Sequence, residues 1–190
     1  MKNRESSWFR SYLKNREQIV KCNGSKSKKS LVNIGVPQGS VLGPILFMVF
    51  VNDLNQHVNI GTSNLYADDT LIYCTGKTCS ETQENLQNCL DDVFKWYQGN
   101  NLVLNANKSV TMLVNSREKL KNVNHDFRVN LNGTDLSDEP VIDYLGMKID
   151  NSLTWKCHID QTCKKLNQKV SKLARLSKHF PKDIALQFYN

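Results

Sequence analysis

Apolar and polar positions recur with two different periods along this chain, and the switches between them mark its elements. Ile159, Cys163, Leu166, Val170 and Leu173 follow steps of four and three, which predicts a helix over 158–178, ended by Pro181. Lys164, Lys165, Lys169, Lys172, Arg175 and Lys178 populate its other faces. Leu86, Cys89, Leu90, Val93 and Tyr97 share one face of a second helix over 80–98, with Ser80 and Gln83 as a capping box and Gly99 as its C′ residue. The apolar run 41–51 predicts a buried helix from about Ser40 to Gln56, with Ser40 as N-cap and Pro44 tolerated in the first turn. Trp8 to Leu13 reads as a helix closing near Asn15, and residues 183–190 as the start of another.

Between the helices the period falls to two. Gln18 to Cys22, then Asn23-Gly24, signals a hairpin. A Lys-rich turn from Ser25 to Ser30 leads to a returning strand, Leu31 to Ile34. Residues 64–74 read as strand, tight turn, strand, with Asp68 and Asp69 at the turn. Short strands are expected at 102–104, 109–114, 127–131, 141–145 and 147–149, with Asn132-Gly133 as a further hairpin turn.

Charge adds a regional pattern. The chain has 190 residues and a formal net charge of +7. Residues 1–35 carry nine basic and two acidic side chains, 36–107 two and seven, 108–155 six and seven, and 156–190 eight and two. Basic ends suit a polyanion, whose counterions they displace, although Lys-rich helix faces are also commonly just solvated. The acidic middle suits a cation. A hydrophobic fraction of 39% is a little low, but Leu, Ile, Val and Phe make up 52 of the 190 residues, which is enough for a core and argues against global disorder. The six cysteines show no metal-binding spacing and read as free thiols of a reducing compartment. Met1 is followed by polar, basic residues, so no secretory signal is expected. The run 41–51 is too short to span a bilayer. The expected location is therefore intracellular, in cytoplasm or nucleus, with no membrane association.

Two features could carry chemistry. Adjacent carboxylates at a tight turn repel one another, and a divalent cation would offset that; a plain solvated β-turn is the simpler alternative. The run from Gly35 to Phe47 puts bare backbone and the long side chain of Gln38 at a helix N-terminus, where a nucleotide could approach closely; it also serves as an ordinary loop and cap.

Taken together, Gly35-Val-Pro-Gln-Gly-Ser-Val-Leu-Gly-Pro-Ile-Leu-Phe47, Asn52-Asp-Leu54 and Tyr66-Ala-Asp-Asp-Thr70 resemble the reverse transcriptase of non-long-terminal-repeat, LINE-like or jockey-type retrotransposons. Leu104-Asn-Ala-Asn-Lys108 resembles the segment after the palm helix, Tyr144-Leu-Gly146 with Trp155 the primer-grip hairpin, and the helix from 158 the start of the thumb. Trp8 to Leu13 with Asn15-Arg16 resembles the lead into the Gln-Gly loop. The resemblance runs from about residue 8 to 190. Ser40-Val-Leu-Gly43 favours these elements over group II intron or retron enzymes.

The resemblance implies an α+β fold: a partial right-hand polymerase palm, an antiparallel sheet with helices on one face, and the start of an α-helical thumb. Residues 1–155 would be partial fingers and palm, and 156–190 the thumb. Asp68 and Asp69 would be catalytic and ligate Mg²⁺ in a two-metal nucleotidyl transfer. Lys108 would assist the leaving pyrophosphate. Pro37, Gln38, Gly39 and Tyr66 would line the nucleotide and template pocket, and Leu145 and Gly146 the primer grip. Lys164, Lys165, Lys169, Lys172 and Arg175 would follow the nucleic-acid backbone. The partners would be an RNA template, a DNA primer and a dNTP. The family's first catalytic aspartate lies upstream of the Trp8 segment, and Asp53 cannot replace it. The expectation is thus a truncated reading frame, inactive alone, or a non-catalytic remnant that binds RNA or an RNA–DNA hybrid.

Overall fold

A computed structural model describes residues 3–121 and 127–176. The chain divides into two compact units, one drawn over Met1–Gln56 and Asn64–Leu71, the other over His57–Ser63 and Ile72–Asn190. Both mix helices and strands.

In the first unit, helix α1 (Asn3–Leu13) carries Trp8 stacked on Tyr12, with ring centroids 5.5 Å apart. Asn15, at φ 54°, reverses the chain into β1 (Arg16–Gln18). Strands β2 (Lys21–Cys22) and β3 (Ser25–Lys26) close the predicted Asn23-Gly24 hairpin, so the expected Lys-rich turn begins as strand. Strand β4 (Ser30–Val32) returns antiparallel to β1, with Arg16 opposite Val32. The single helix expected over 40–56 is two helices, α2 (Leu42–Val51) and α3 (Leu54–His57), broken at Asn52-Asp53. Short polar side chains there compete for backbone hydrogen bonds, which favours a break. Helix α2 is apolar along its whole length, yet Ile45, Met48, Val49 and Phe50 stay exposed.

Strands β5 (Thr62–Tyr66) and β6 (Asp69–Tyr73) pair as the predicted hairpin. In the second unit α4 (Cys79–Gly99) is the organising element. Its cap lies two residues before the predicted one. The Thr78 hydroxyl accepts from the Glu81 amide at 3.1 Å, and the Glu81 carboxylate accepts from the Lys77 amide at 2.7 Å. Gln83, expected in the box, instead accepts from the Arg128 amide at 3.3 Å. The C-terminus also differs. Asn101, not Gly99, takes the left-handed conformation at φ 56°. The amides of Asn101 and Leu102 then donate to the carbonyls of Gln98 and Tyr97, the paired bonds of a Schellman closure.

The α4 face predicted from sequence is buried where it counts. Leu90 packs with Phe127, Val129, Leu131 and Leu136, flanked by Leu86, Phe94, Leu104 and Leu113. Gln87 makes a second kind of contact with the same segment. Its side-chain amide accepts from the Asn130 N–H at 2.8 Å and donates to the Asn130 carbonyl at 2.9 Å. Buried Cys89 has its thiol pushed up to about 12, mainly by burial and then by its neighbour Cys74, so both are packing groups rather than nucleophiles.

A 3₁₀ turn (Ala106–Lys108) precedes β7 (Val110–Thr111), and α5 (Arg117–Lys121) follows. Strand β8 (Asn130–Leu131) turns at Asn132-Gly133 into β9 (Thr134–Asp135), as predicted, and β10 (Ser137–Asp138) pairs parallel to β7. Strands β11 (Val141–Tyr144) and β12 (Met147–Asp150) form the last hairpin, and α6 (Lys156–Leu176) follows. The strand expected at 102–104 is absent, and those at 109–114 and 127–131 shrink to two residues each. Pro181, Lys178 and the helix expected from 183 lie outside the described residues.

The expected palm sheet is replaced, among the described residues, by six two-stranded ladders, one of them parallel. Most strands are two to four residues long, too few to support wider pairing. The cap shift yields a test. Thr78→Ala should cost about 1 kcal/mol by urea unfolding followed by circular dichroism, against a few tenths at most for Ser80→Ala.

Candidate active site

Asp68 and Asp69 sit where β5 turns into β6. Strand β5 ends at Tyr66 and β6 begins at Asp69, leaving Ala67 and Asp68 as a two-residue turn. Ala67 is at φ 52° and Asp68 is not left-handed, the φ pattern of a type II′ turn. A non-glycine residue held there is strained, of order 1 kcal/mol. It places Asp68 on the turn and Asp69 at the head of a strand, so the two carboxylates are adjacent and exposed. Tyr66 precedes them, 63% exposed.

The same compact unit contains the loop between β4 and α2. Gly35 and Gly39 are left-handed, at φ 78° and 73°. The Ser40 hydroxyl donates to the Pro37 carbonyl at 2.8 Å and accepts from the Gly43 amide at 3.0 Å. The helix starts at Leu42 with Val41 at its cap position, so Ser40, expected as N-cap, lies one residue earlier, although its hydroxyl still holds the Gly43 amide. Gly43 is required for this: a Cβ there would lie 2.9 Å from the Ser40 oxygen and 3.2 Å from the Pro37 carbonyl. Pro37 is half-buried, while Gln38 and Gly39 are exposed at the crest.

The remaining predicted residues belong to the second unit. Lys108 ends the 3₁₀ turn and is exposed. Leu145 and Gly146 form the two-residue turn of the β11–β12 hairpin, at φ 49° and 79°, between paired Tyr144 and Met147. Two successive left-handed residues define a type I′ turn, and a leucine in the first position is unusual. Its side chain is 43% exposed. Lys164, Lys165, Lys169, Lys172 and Arg175 are all exposed on α6, but so are Ile159, Leu166 and Val170 of the apolar stripe.

Asp150, which sequence reasoning missed, fixes the start of α6. Its carboxylate accepts from the amides of Ser152, Thr154 and Trp155 at 3.2, 3.0 and 2.8 Å, and from the Thr154 hydroxyl at 3.1 Å. Leu153 and Trp155 in this loop are left-handed. The Thr154 amide above all, against the opposing effect of burial, and then the Thr154 hydroxyl and the Trp155 and Ser152 amides, hold the carboxyl below its ordinary 3.8. His158 ties the helix back to the hairpin, its Nδ1 accepting from the Lys148 amide at 3.3 Å. An aspartate followed by Asn-Ser-Leu-Thr is a turn signal, but its four acceptances become visible only in three dimensions.

The oxygen donors of Asp68 and Asp69 fit a magnesium ion, which takes one or two carboxylates and fills its shell with water and phosphate oxygens. They do not by themselves fit a pair of ions. Among the described residues no group of three or more His, Cys, Asp or Glu side chains could hold a metal. Nor is any described helix long and apolar enough to cross a membrane.

The Asp-Asp hairpin and the Gly-bounded Gln loop, on which the resemblance to reverse transcriptases rests, share one compact unit. Comparison agrees: the family described as Reverse transcriptase (RNA-dependent DNA polymerase) matches residues 1–149. The chain is 30% identical over 174 residues to the RNA-directed DNA polymerase from mobile element jockey of Drosophila melanogaster, covering 88% of this chain and 18% of that protein. It is 29% identical over 172 residues to the corresponding jockey protein of Drosophila funebris, covering 87% and 18%. It is 31% identical over 173 residues to the probable RNA-directed DNA polymerase from transposon BS of Drosophila melanogaster, covering 87% and 19%. No solved structure matches. The chain belongs to the reverse transcriptase family, and its resemblance to the enzymes of non-long-terminal-repeat retrotransposons is borne out. It spans less than a fifth of the length of these relatives.

The Asp150 clamp sets a pH dependence. A depressed carboxyl contributes stability that is complete above the unfolded value of 3.8 and is lost as pH falls through the lower folded value. Asp150→Asn should therefore be less stable than the parent chain near neutrality. The gap should close below about pH 4, read from melting temperatures across an acid series.

Proposed function

We propose that these residues are the metal-binding hairpin, nucleotide loop and primer-grip portion of an RNA-directed DNA polymerase. The reaction is attack of a primer 3′-hydroxyl on the α-phosphorus of a dNTP, templated by RNA, with release of pyrophosphate. Asp68, with Asp69 beside it, would hold Mg²⁺, which supplies charge neutralisation at the reacting phosphates. Pro37, Gln38, Gly39 and Tyr66 would bound the nascent base pair, and Lys108 would meet the departing pyrophosphate. Leu145 and Gly146 would seat the primer terminus. Residues 1–155 would then be partial fingers and palm, and 156–190 the start of a thumb whose α6 lysines follow the nucleic-acid backbone. A polymerase of this kind would work inside the cell.

The observation that carries this reading is the placement of Asp68-Asp69 on a strained hairpin tip in the same unit as the Gln38 loop. A second observation limits it. Two exposed carboxylates are a partial donor set, and the apolar faces of α2 and α6 stand exposed. The 190 residues alone should therefore bind nucleic acid without polymerising.

The 190-residue chain should bind an RNA–DNA hybrid with an affinity that falls steeply with salt. Replacing Lys169 and Lys172 together with alanine should reduce the slope of log affinity against log salt by about 2. Primer extension on an RNA template with Mg²⁺ should be absent. Extension by this chain that Asp68→Ala abolishes would overturn the claim of incompleteness, and salt-insensitive binding would overturn the role given to α6.

A further inference from the structure

Arg16 belongs to the segment that resembles the lead into the Gln-Gly loop, but that resemblance gives it no role. It opens β1, directly after the left-handed Asn15, and is half-buried. Its guanidinium makes three hydrogen bonds, all to backbone carbonyls. Nε donates to Leu13 at the end of α1, at 3.2 Å. Nη2 donates to Ile34 at 3.0 Å and to Gly35 through a shorter bond. Ile34 and Gly35 are the two residues before Val36-Pro37-Gln38. One planar fork thus ties the end of a helix to the entry of the loop, eighteen and nineteen residues further along the chain.

The exit of that loop is tied separately. The Ser40 hydroxyl joins the Pro37 carbonyl to the Gly43 amide, and the Ser40 amide also donates to Pro37 at 3.3 Å. With the entry held by Arg16 and the exit by Ser40, the residues left standing at the crest are Gln38 and left-handed Gly39. The β1–β4 ladder supports the entry, since Arg16 lies opposite Val32, two residues before Ile34. A guanidinium suits this task because its donors point in fixed directions. A lysine ammonium is a single point on a flexible stem and cannot reach three carbonyls in the same plane.

We propose that Arg16 is a positioning residue for nucleotide selection: it touches no substrate, and by pinning the carbonyls of Ile34 and Gly35 it sets the height and direction at which Gln38 meets the incoming base pair. This rests on the polymerase reading of the loop. Loss of the fork would leave folding largely intact but let the crest sample several positions, and misplacement of a substrate-facing group is costly even at sub-ångström scale.

Two measurements separate the brace from the reading it rests on. Hydrogen exchange on the 190-residue chain, followed in a peptide spanning 31–43, should speed up roughly tenfold in Arg16→Ala and nearly as much in Arg16→Lys, with α4 peptides unchanged. Primer extension by the complete polymerase carrying these residues should show the dNTP KM raised roughly tenfold, with kcat within about twofold, in both variants. Unchanged exchange in 31–43, or full rescue by Arg16→Lys, overturns the brace. A fall in kcat at constant KM, or a uniform loss of protection across both units, assigns Arg16 a merely structural role and overturns the proposal. If the unsubstituted polymerase extends no primer, the polymerase reading fails and with it the selection role, while the exchange data still decide whether the brace exists.

Discussion

The Asp68-Asp69 turn, the Gln38 loop and the tip of the last hairpin each sit where the backbone is forced into left-handed geometry. Ala67 precedes the aspartates, Gly35 and Gly39 bound the Gln38 crest, and Leu145 with Gly146 makes the tip of the last hairpin. Left-handed residues reverse a chain in the fewest possible steps, so a side chain at such a point projects clear of the strands that hold it. Two of these positions, Ala67 and Leu145, are filled by residues that pay a steric cost for it. The surrounding ladders are what keep them there. Tyr144 pairs with Met147 across the Leu145 turn, and β5 pairs with β6 across the Ala67 turn.

The two units are stabilised in different ways. The second has a continuous apolar cluster, in which Leu90 of α4 meets Val129 and Leu131 on alternate positions of one extended segment. Side-chain hydrogen bonds then stitch its loops, with Asp150 holding four donors at once. The first unit relies far more on local devices: a stacked Trp8–Tyr12 pair, two short ladders and the polar ties of Arg16 and Ser40. Its apolar helix α2 keeps many large side chains in water.

Much of this was legible in the sequence, and the reasons differ by element. Helices α4 and α6 announce themselves through apolar residues that recur at the helical pitch, a stripe that is buried on α4 and exposed on α6. The Asn-Gly turns and the Asp68-Asp69 hairpin are legible because turn geometry restricts residue type. The cap of α4 was misplaced because Thr78-x-x-Glu81 and Ser80-x-x-Gln83 are both plausible boxes, and only the packing of Gln83 toward Arg128 decides between them. The strands expected at 109–114 and 127–131 keep only two ladder residues each, while Leu113, Phe127, Val129 and Leu131 are held by packing in the apolar cluster of α4. The ties made by Arg16 and Asp150 escaped for a simpler reason. Apart from the Thr154 hydroxyl, their partners are backbone atoms, which carry no residue signature.

The contact between Gln87 and Asn130 has a consequence for how the molecule behaves in company. A primary amide offers one donor and one acceptor at nearly the spacing of a peptide group, and Gln87 presents both to the peptide of Asn130. A helix side chain thereby imitates the next strand of a sheet. The open side of β8 is a two-residue template that another copy could otherwise extend, and its hydrogen-bonding positions are already spoken for. With those two groups occupied by the glutamine, that edge offers no free pair at Asn130 for a further strand to join.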